Sequence, residues 1–452
     1  MPPLRLGDPQ GGGETLNLGW VPTILSLLIC ISFTIYAARY YLYALVTLLG
    51  GRPPERGGGD DYRGLVSIIL PIYNEARVVD RLLRACTSID YPEYEIIVVD
   101  DSTDPESLRR IKRWARHPRV RVIHRDRREG FKGGALNEGL RHLSPESRFV
   151  LFLDADFIPP PDILQRGLEH FEDDRVAAVQ GYQDHVLNWD ETPVTRVVRV
   201  STISGYLVDF YARSLLDTLK QLTGGAMILR TEVIRRLGFS TNCLTEDWDL
   251  TLRLYLEGYE IVYDPRLRVL AECPSTLRDY IRQQMRWAEG HIRVARNYFK
   301  RVLTSPLMTL RQKMEFLLLS LFYLQSVLFL LGVGCTLIAD PTPSGPLSTR
   351  LGLLLFLFDL LAPLSMGLTA SWVAGGVREN LLGLVLFPLT FTATAPFLAL
   401  ASIRGLILED GNLEEGWYRT EKTGHITVAP LVVRSLTSSN PLMVEGADLE
   451  DC

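Results

Sequence analysis

Two carboxylates with the spacing of a cation site follow an apolar run of the chain. Asp154 and Asp156 form an Asp-x-Asp pair directly after residues 149–153. In an extended segment, residues two apart point to the same side, so both carboxylates can face one ligand. Carboxylate oxygens are suitable ligands for Mg²⁺ or Mn²⁺, and such a cation can carry a diphosphate. The alternative from local sequence is a loop that caps the following helix.

Two further groups of residues are suited to binding a nucleotide. Asp100 and Asp101 end a second apolar run, and their carboxylates can accept hydrogen bonds from ribose hydroxyls or a base. Their alternative role is to cap a helix that begins at Pro105. Lys132 lies in the glycine-rich segment 129–139 and offers a positive charge to a phosphate. A flexible surface loop is the alternative there, and neither a Walker loop nor a dinucleotide-binding glycine pattern is present.

Proton transfer and sugar binding are suggested by two groups later in the chain. Thr245, Glu246 and Asp247 precede a helical stretch at 250–257, where the helix dipole favours a carboxylate anion that can act as a general base. N-capping of that helix is the alternative. Residues 283–287 read Gln-Gln-Met-Arg-Trp on a basic amphipathic helix predicted over 277–300, so Arg286 can clamp a diphosphate and Trp287 can stack on a sugar. Anchoring at a membrane interface is the alternative for both side chains.

The elements around these residues alternate between apolar runs and amphipathic stretches. Strands are predicted at 66–72, 95–99, 120–124 and 149–153, and helices at 75–88, 105–116 and 134–143. This alternation predicts an α/β domain with a mostly parallel sheet that is covered on both faces. Ligands of such sheets bind beyond the carboxyl ends of the strands. Three of the predicted strands end there in polar residues, which is the first indication of a functional site.

Four stretches nearly free of charge predict membrane helices. They span residues 21–38, 316–339, 351–377 and 381–403. A helix needs about 20 apolar residues to cross the hydrocarbon core. The first stretch is interpreted as a signal anchor and not a signal peptide, because its leading residues lack a net positive charge. Basic residues follow that stretch and precede the second, so the intervening body is expected in the cytoplasm: Arg39, Arg52, Arg56, Lys300, Arg301, Arg311 and Lys313.

The last two apolar stretches leave the side of the C-terminus open. Three crossings after a cytosolic body would place the C-terminal segment outside the cell. Pro388 and Pro396 interrupt the last stretch and Asp359 interrupts the third, so one of the two is expected not to cross fully. Asp359 is either a residue of a transport pathway or a partner within the helix bundle.

Overall composition excludes several classes of protein. Lys plus Arg number 48 against 53 for Asp plus Glu, so binding of nucleic acid by bulk charge is not expected. The six cysteines contain no Cys-x-x-Cys pair, so neither a zinc site nor a disulfide scaffold is indicated.

The motifs, in this order, resemble the membrane-bound family 2 glycosyltransferases, which include cellulose, hyaluronan and mannan synthases. The matching segments are PIYNEA at 71–76, Asp100-Asp101, GFKGGALNEG at 130–139, Asp-Ala-Asp at 154–156, Thr-Glu-Asp at 245–247 and QQMRW at 283–287. Residues 417–422 also resemble the gating-loop pattern FxVTxK, although Trp417 and Arg419 replace its Phe and Val. The resemblance covers roughly residues 65–303 and implies a GT-A-like, Rossmann-like fold.

The resemblance also implies roles for individual residues. Asp247 would be the catalytic base of an inverting displacement, and Asp156 would bind the metal, Mg²⁺ or Mn²⁺. The donor-binding residues would be Tyr73, Glu75, Asp101, Lys132, Asp154 and Arg286. Glu246, Gln283 and Trp287 would bind the acceptor, and Trp417, Thr420 and Lys422 would belong to the gating loop, which must then be cytosolic.

The expected function is transfer of a hexose from a UDP- or GDP-sugar to a growing β-linked polysaccharide, by a multi-pass protein of the cell membrane. Its expected partners are the donor, a polysaccharide or lipid acceptor and membrane lipids, without nucleic acid. One alternative is transfer of a single sugar to a lipid. Another is a transporter or receptor whose cytosolic domain senses nucleotide sugars.

Six regions are expected along the chain: an extracytoplasmic tail (1–19), a transmembrane helix (20–49), the cytosolic GT-A-like domain (60–275), amphipathic interfacial helices (276–313), a transmembrane region (314–408) and a C-terminal segment with an acidic tail (409–452).

Overall fold

A seven-stranded sheet is the centre of the protein in the computed structural model, which describes residues 21–50, 63–338, 350–408 and 420–428. Its strands are β1 (Val66–Ile72), β2 (Tyr94–Asp100), β3 (Val120–His124), β4 (Phe149–Phe152), β5 (Val176–His185), β6 (Met227–Arg230) and β7 (Glu260–Ala271). They are arranged in the order β3-β2-β1-β4-β6-β5-β7. Within this sheet β6 runs antiparallel to both of its neighbours, and the other pairs are parallel. The predicted mostly parallel α/β sheet is therefore confirmed.

Helices cover both faces of the sheet and continue beyond it. They are α1 (Val21–Leu49), α2 (Val79–Thr87), α3 (Pro105–Trp114), α4 (Phe131–Arg141), α5 (Ile163–Leu168), α6 (Pro193–Ile203), α7 (Tyr211–Leu215), α8 (Thr231–Leu237), α9 (Glu246–Leu256), α10 (Leu277–Thr304), α11 (Leu310–Leu321), α12 (Gln325–Ile338), α13 (Arg350–Val373) and α14 (Val377–Ile407). A 3₁₀ turn, Glu169–Glu172, follows α5, and π-helical turns, Ser204–Phe210, join α6 to α7.

Alternate residues of the apolar strands pack on opposite faces of the sheet. In β1, Ile68 and Leu70 pack in a cluster with residues of α2, whereas Ile69 packs in a second cluster with residues of α4. A strand buried on both faces explains why its sequence is continuously apolar and does not alternate. The two clusters are the core of the domain, and their helices fix the loops that follow the strands.

Two helices begin earlier than predicted, and each earlier start places a candidate site residue in a first helical turn. The segment predicted as a loop is already helical from Phe131, so Lys132 lies in the first turn of α4. Gly134 is required there for packing, since a Cβ at that position would lie 1.9 Å from the backbone oxygen of Glu129. Similarly, α9 begins at Glu246 and contains Asp247 in its first turn. In contrast, α2 begins four residues later than predicted.

Among the residues that the structure describes, three helices are long and apolar enough to cross a membrane: Ile24–Leu49, Gly352–Val373 and Val377–Ile407. The second apolar stretch is divided between α11 and α12, which are bent by 55° at a short break. Each of the last two apolar stretches forms one continuous helix, and the expectation that one of them does not cross fully stays a prediction. Despite Pro388 and Pro396, α14 is one helix, and the break lies before α12.

A buried cluster of charged residues connects α1 to the sheet domain and to α11. Arg39 contacts Asp209 at 2.7 Å and Glu315 at 2.6 Å. Arg213 contacts the other oxygen of Asp209 at 2.6 Å, and the hydroxyl of Tyr43 donates to Glu315 at 2.6 Å. The basic residue that suggested a cytosolic flank for α1 is thus a structural partner of two helices far along the chain.

Candidate active site

A cavity of about 210 Å³ lies at the carboxyl ends of β1, β2 and β4. Every candidate site residue that the structure describes lines it: Tyr73, Glu75, Asp101, Lys132, Asp154, Asp156, Glu246, Asp247, Gln283, Arg286, Trp287, Thr420 and Lys422. Trp417 lies outside the described residues. Residues as far apart as Tyr73 and Lys422 therefore share one cavity, as the sheet topology predicts.

At one end of the cavity, Asp101 is held by an arginine. Nε of Arg125 lies 2.6 Å from Oδ1 of Asp101, and Nη2 lies 2.5 Å from Oδ2. Beside this pair, the guanidinium of Arg128 stacks on the ring of Tyr73 at 3.7 Å. A nucleoside bound here would contact the Arg128–Tyr73 stack. It would also contact the carboxylate of Asp101, which Arg125 already orients.

Lys132 connects the Asp-x-Asp pair to the start of α9. Its Nζ lies 2.6 Å from Oδ1 of Asp154 and 2.8 Å from the backbone oxygen of Gly224. Nζ also lies 3.7 Å from Oε1 of Glu246. Burial opposes the charge on Lys132, but the facing carboxylates, Asp154 first, raise its pKa. The ammonium group is therefore a fixed positive charge between two acidic groups.

Asp156 is buried and contacts a lysine from the C-terminal segment. Nζ of Lys422 lies 2.8 Å from Oδ2 of Asp156, and the backbone N–H of Glu272 donates to the same oxygen at 3.0 Å. Burial alone would raise the pKa of Asp156, but Lys422 and the Glu272 N–H outweigh it and lower the pKa. Oε2 of Glu272 in turn accepts the N–H groups of Thr423 and Gly424, which fastens this segment over the cavity.

The acidic pair fits a hard divalent cation by its chemistry. Each carboxylate binds one ammonium group, Lys132 on Asp154 and Lys422 on Asp156, so each already holds a positive charge at contact distance. Among the residues that the structure describes, no three His, Cys, Asp or Glu side chains form a metal site by themselves. A cation here would depend on phosphate oxygens and water for its remaining ligands, as Mg²⁺ commonly does.

Asp247 lines the same cavity, and its pKa is shifted in the opposite direction to that of Asp156. Its Oδ1 accepts the backbone N–H of Trp248 at 2.8 Å. Burial in the cavity wall and the neighbouring charge of Glu246 raise the pKa of Asp247 to about 7, although Lys132 acts against them. The Thr245 side chain forms no N-cap hydrogen bond, so simple capping does not explain this group. A carboxylate with a pKa near neutrality can accept a proton and release it again.

Arg286 faces the cavity from α10 without an acidic partner. Within the described part of the chain it forms no ion pair, its Nη1 donates to the backbone oxygen of Leu244 at 3.2 Å, and its buried Nε has no hydrogen-bond partner. The next residue, Trp287, also lines the cavity, and Gln283 donates to the hydroxyl of Thr420 at 3.4 Å. A guanidinium that lines a cavity and forms no ion pair is a site for an anion.

Several residues of the cavity were not recognised in the sequence. Gln183 and His185 come from the end of β5, and Thr223 and Gly224 come from the loop before β6. Gly224 has a φ of +78°, and a Cβ there would lie 3.1 Å from Oδ2 of Asp247, so glycine is needed for the close approach. The Gly-Gly pair before β6 was the available signal, but its meaning depends on contacts with residues distant in the chain.

The structure also shows which residue caps helix α3, a role considered above for Asp100 and Asp101. Helix α3 is capped by Asp104, which accepts the N–H of Ser107 at 2.8 Å. Asp100 instead accepts the N–H of Ser102 at 2.9 Å and contacts Nδ1 of His124 at 3.0 Å. The acidic pair at the end of β2 is therefore not the cap of the following helix, and Asp101 points into the cavity.

Comparison with known proteins identifies relatives of this chain. Residues 67–238 match the family described as Glycosyl transferase family 2. Glucomannan 4-beta-mannosyltransferase 7 of Arabidopsis thaliana is 30% identical over 273 residues, 58% of this chain and 49% of the relative. Glucomannan 4-beta-mannosyltransferase 1 of Oryza sativa subsp. japonica is 28% identical over 340 residues, 68% of this chain and 65% of the relative. The chain thus spans about half to two thirds of the length of these curated relatives.

A solved structure shares the fold over nearly its whole length. A mannosyltransferase from Pyrobaculum calidifontis, in complex with GDP-Man and Mn²⁺, has a TM-score of 0.57 and 21% identity to this chain. The match covers 86% of this chain and 99% of that protein. The sheet and its covering helices are therefore an arrangement already seen in a mannosyltransferase.

Proposed function

Residues 67–238 match the glycosyl transferase family 2 domain, and from this premise we propose that the chain is an inverting hexosyltransferase of the mannan synthase-like group. Its donor would be a nucleotide-diphosphate sugar, with GDP-mannose as the first candidate because the curated relatives are named as mannosyltransferases. Its acceptor would be the end of a growing β-linked polysaccharide at the membrane.

One observation carries the proposal: the same cavity is lined by a carboxylate of raised pKa and by an arginine that forms no ion pair within the described part of the chain. Asp247 can take a proton from an acceptor hydroxyl, while Arg286 can hold the diphosphate that leaves. An inverting displacement needs these two functions on opposite sides of the reacting carbon. A sensor that only binds a nucleotide sugar has no need of a carboxylate whose pKa lies near neutrality.

The other residues would bind and orient the substrates. Asp101 and the Arg128–Tyr73 stack lie where they can contact the nucleoside, and Trp287 offers a ring face to the acceptor sugar. Asp156 would hold Mg²⁺ or Mn²⁺, which neutralises developing negative charge on a diphosphate when it is bound, and Asp154 would contact the donor. The metal, donor and acceptor roles of these residues are part of the proposal.

The position of the C-terminal segment bears on the membrane topology. Lys422 contacts Asp156, so residues 420–428 and the sheet domain must lie on the same side of the membrane. An even number of crossings must then separate them, which α13 and α14 supply if the bent pair α11–α12 does not cross. We propose this topology with the active site in the cytoplasm, because basic residues flank the domain.

The test is a donor screen with the full-length chain in lipid nanodiscs. Radiolabelled GDP-mannose, GDP-glucose and UDP-glucose are supplied with Mn²⁺, and the products are sized and digested with a β-mannanase. A ladder of β-linked products from GDP-mannose is expected, with Asp247→Asn protein as the inactive control. A single-sugar lipid product would contradict polymer synthesis, and the absence of transfer from every donor would contradict the proposed enzyme.

A further inference from the structure

His185 lies in the cavity but has no part in the mechanism above. It is the last residue of β5, it is half-buried, and it lines the same cavity as Asp154 and Asp156. No acidic residue forms an ion pair with its ring among the described residues. A histidine beside an Asp-x-Asp pair therefore calls for a chemical explanation.

Its hydrogen bond fixes which ring nitrogen is available. Nδ1 of His185 lies 3.2 Å from the backbone oxygen of Gln183. A carbonyl oxygen can only accept, so Nδ1 carries the proton and Nε2 keeps its lone pair. This is the arrangement by which proteins usually orient a histidine that binds a metal through its other nitrogen.

The strand register places His185 next to Glu272, whose backbone N–H binds Asp156. His185 pairs with Ala271 across β5 and β7, and the following residue, Glu272, donates its N–H to Oδ2 of Asp156 at 3.0 Å. Nζ of Lys422 lies 2.8 Å from that same oxygen. The ammonium group of Lys422 therefore marks a cation position that Asp156 faces and that is close to the imidazole.

We propose that Nε2 of His185 is a ligand of the divalent cation bound by Asp156, at the position that the Lys422 ammonium occupies here. The proposal rests on the proposed function in one respect: the nucleoside diphosphate of the donor supplies further oxygen ligands to the cation. Binding of the cation then requires Lys422 to leave Asp156. An imidazole ligand favours Mn²⁺ over Mg²⁺, because nitrogen is a softer donor than carboxylate or water oxygen.

Pulsed electron paramagnetic resonance of bound Mn²⁺ tests the proposal without any turnover. The full-length protein in nanodiscs is loaded with Mn²⁺ and GDP, and the spin-echo modulation of a coordinated nitrogen is recorded. Protein grown with ¹⁵N-histidine separates an imidazole ligand from a nitrogen of the nucleotide. We expect a histidine nitrogen coupling in the wild type that is absent in His185→Gln and retained in His117→Gln.

The control residue His117 lies at the end of α3, outside the cavity. A wild-type spectrum without histidine coupling overturns the proposal, whether or not the variants fold. A histidine coupling that survives in His185→Gln overturns it as well.

Metal selectivity gives a second measurement. Calorimetry of GDP binding in the presence of each metal should show a loss of about tenfold with Mn²⁺ in His185→Gln, and a smaller loss with Mg²⁺. Equal losses with both metals would overturn the assignment of the ring as a ligand. A protein that shows the coupling but transfers no sugar would contradict the proposed function and leave this assignment standing.

Discussion

The carboxylates on the two walls of the cavity have different neighbours. The strand-edge carboxylates, Asp101, Asp154 and Asp156, each contact a basic side chain: Arg125, Lys132 and Lys422. The helix-start carboxylates, Glu246 and Asp247, lie side by side in the first turn of α9. As a result the pKa of Asp156 is lowered and that of Asp247 is raised to about 7.

The difference shows how one cavity can provide both a cation site and a base. A carboxylate paired with a cation stays ionised at every physiological pH, which suits a ligand for metal or nucleotide. A carboxylate that is buried beside a like charge is protonated and deprotonated near neutrality, which suits proton transfer. Four predictions test whether this division is real, in decreasing order of expected effect.

The largest effect is expected at the metal-binding wall. Asp156→Ala should reduce sugar transfer by on the order of a thousandfold and abolish its stimulation by Mn²⁺, because the buried carboxylate that faces the cation is lost. Transfer is measured with radiolabelled donor across a Mn²⁺ titration. Asp174→Ala, at a fully exposed acidic residue, is the matched control. Turnover of the Asp156 variant that still responds to Mn²⁺ would show that another group binds the metal.

Loss of the base should have the next largest effect. Asp247→Asn keeps the shape of the side chain but cannot accept a proton, so we expect a rate reduction of roughly a hundred- to a thousandfold. The affinity for GDP, measured by calorimetry, should change little because the strand-edge carboxylates are intact. A variant with wild-type turnover would remove Asp247 as the base.

The pH profile should respond to the charge of Glu246. Since Asp247 must be deprotonated to act, kcat/KM should rise with pH through about 7 in the wild type. Glu246→Gln removes the neighbouring negative charge, which lowers the pKa of Asp247 and should move this rise about one unit to lower pH. Lys132→Met removes a positive charge and should move it to higher pH. Coincident profiles for all three proteins would mean that the two walls are not electrostatically distinct.

The smallest effect is expected at the C-terminal segment. Lys422→Met removes the ammonium group from Asp156, so the affinity for Mn²⁺ without nucleotide should rise about fivefold, or ~1 kcal/mol. The free Mn²⁺ signal in solution measures this directly, and Lys422→Arg is the control that retains the charge. An unchanged affinity in Lys422→Met would show that the lysine and the metal do not compete.

Local sequence predicted the first four strands because buried parallel strands are continuously apolar, as in β1 and β2, but it did not predict β5, β6 or β7. It also predicted the cavity, since polar residues follow these strands at one edge. It could not predict that Lys422 contacts Asp156 across 266 positions, because nothing in the local pattern encodes that docking. His185 and Gly224 were missed for a related reason, since their roles depend on strand register and on a positive φ.

The buried charges around Arg39 bear on how the protein can be handled in the laboratory. A chain shortened to begin after α1 would lose Arg39 and Tyr43 together, and Glu315 and Asp209 would retain only Arg213 as a cationic neighbour. Leaving a buried charge without its partner typically costs about 3–5 kcal/mol, a large fraction of the stability of most domains. Helix α1 is therefore part of the folding unit, and a fragment without it is expected to be poorly stable.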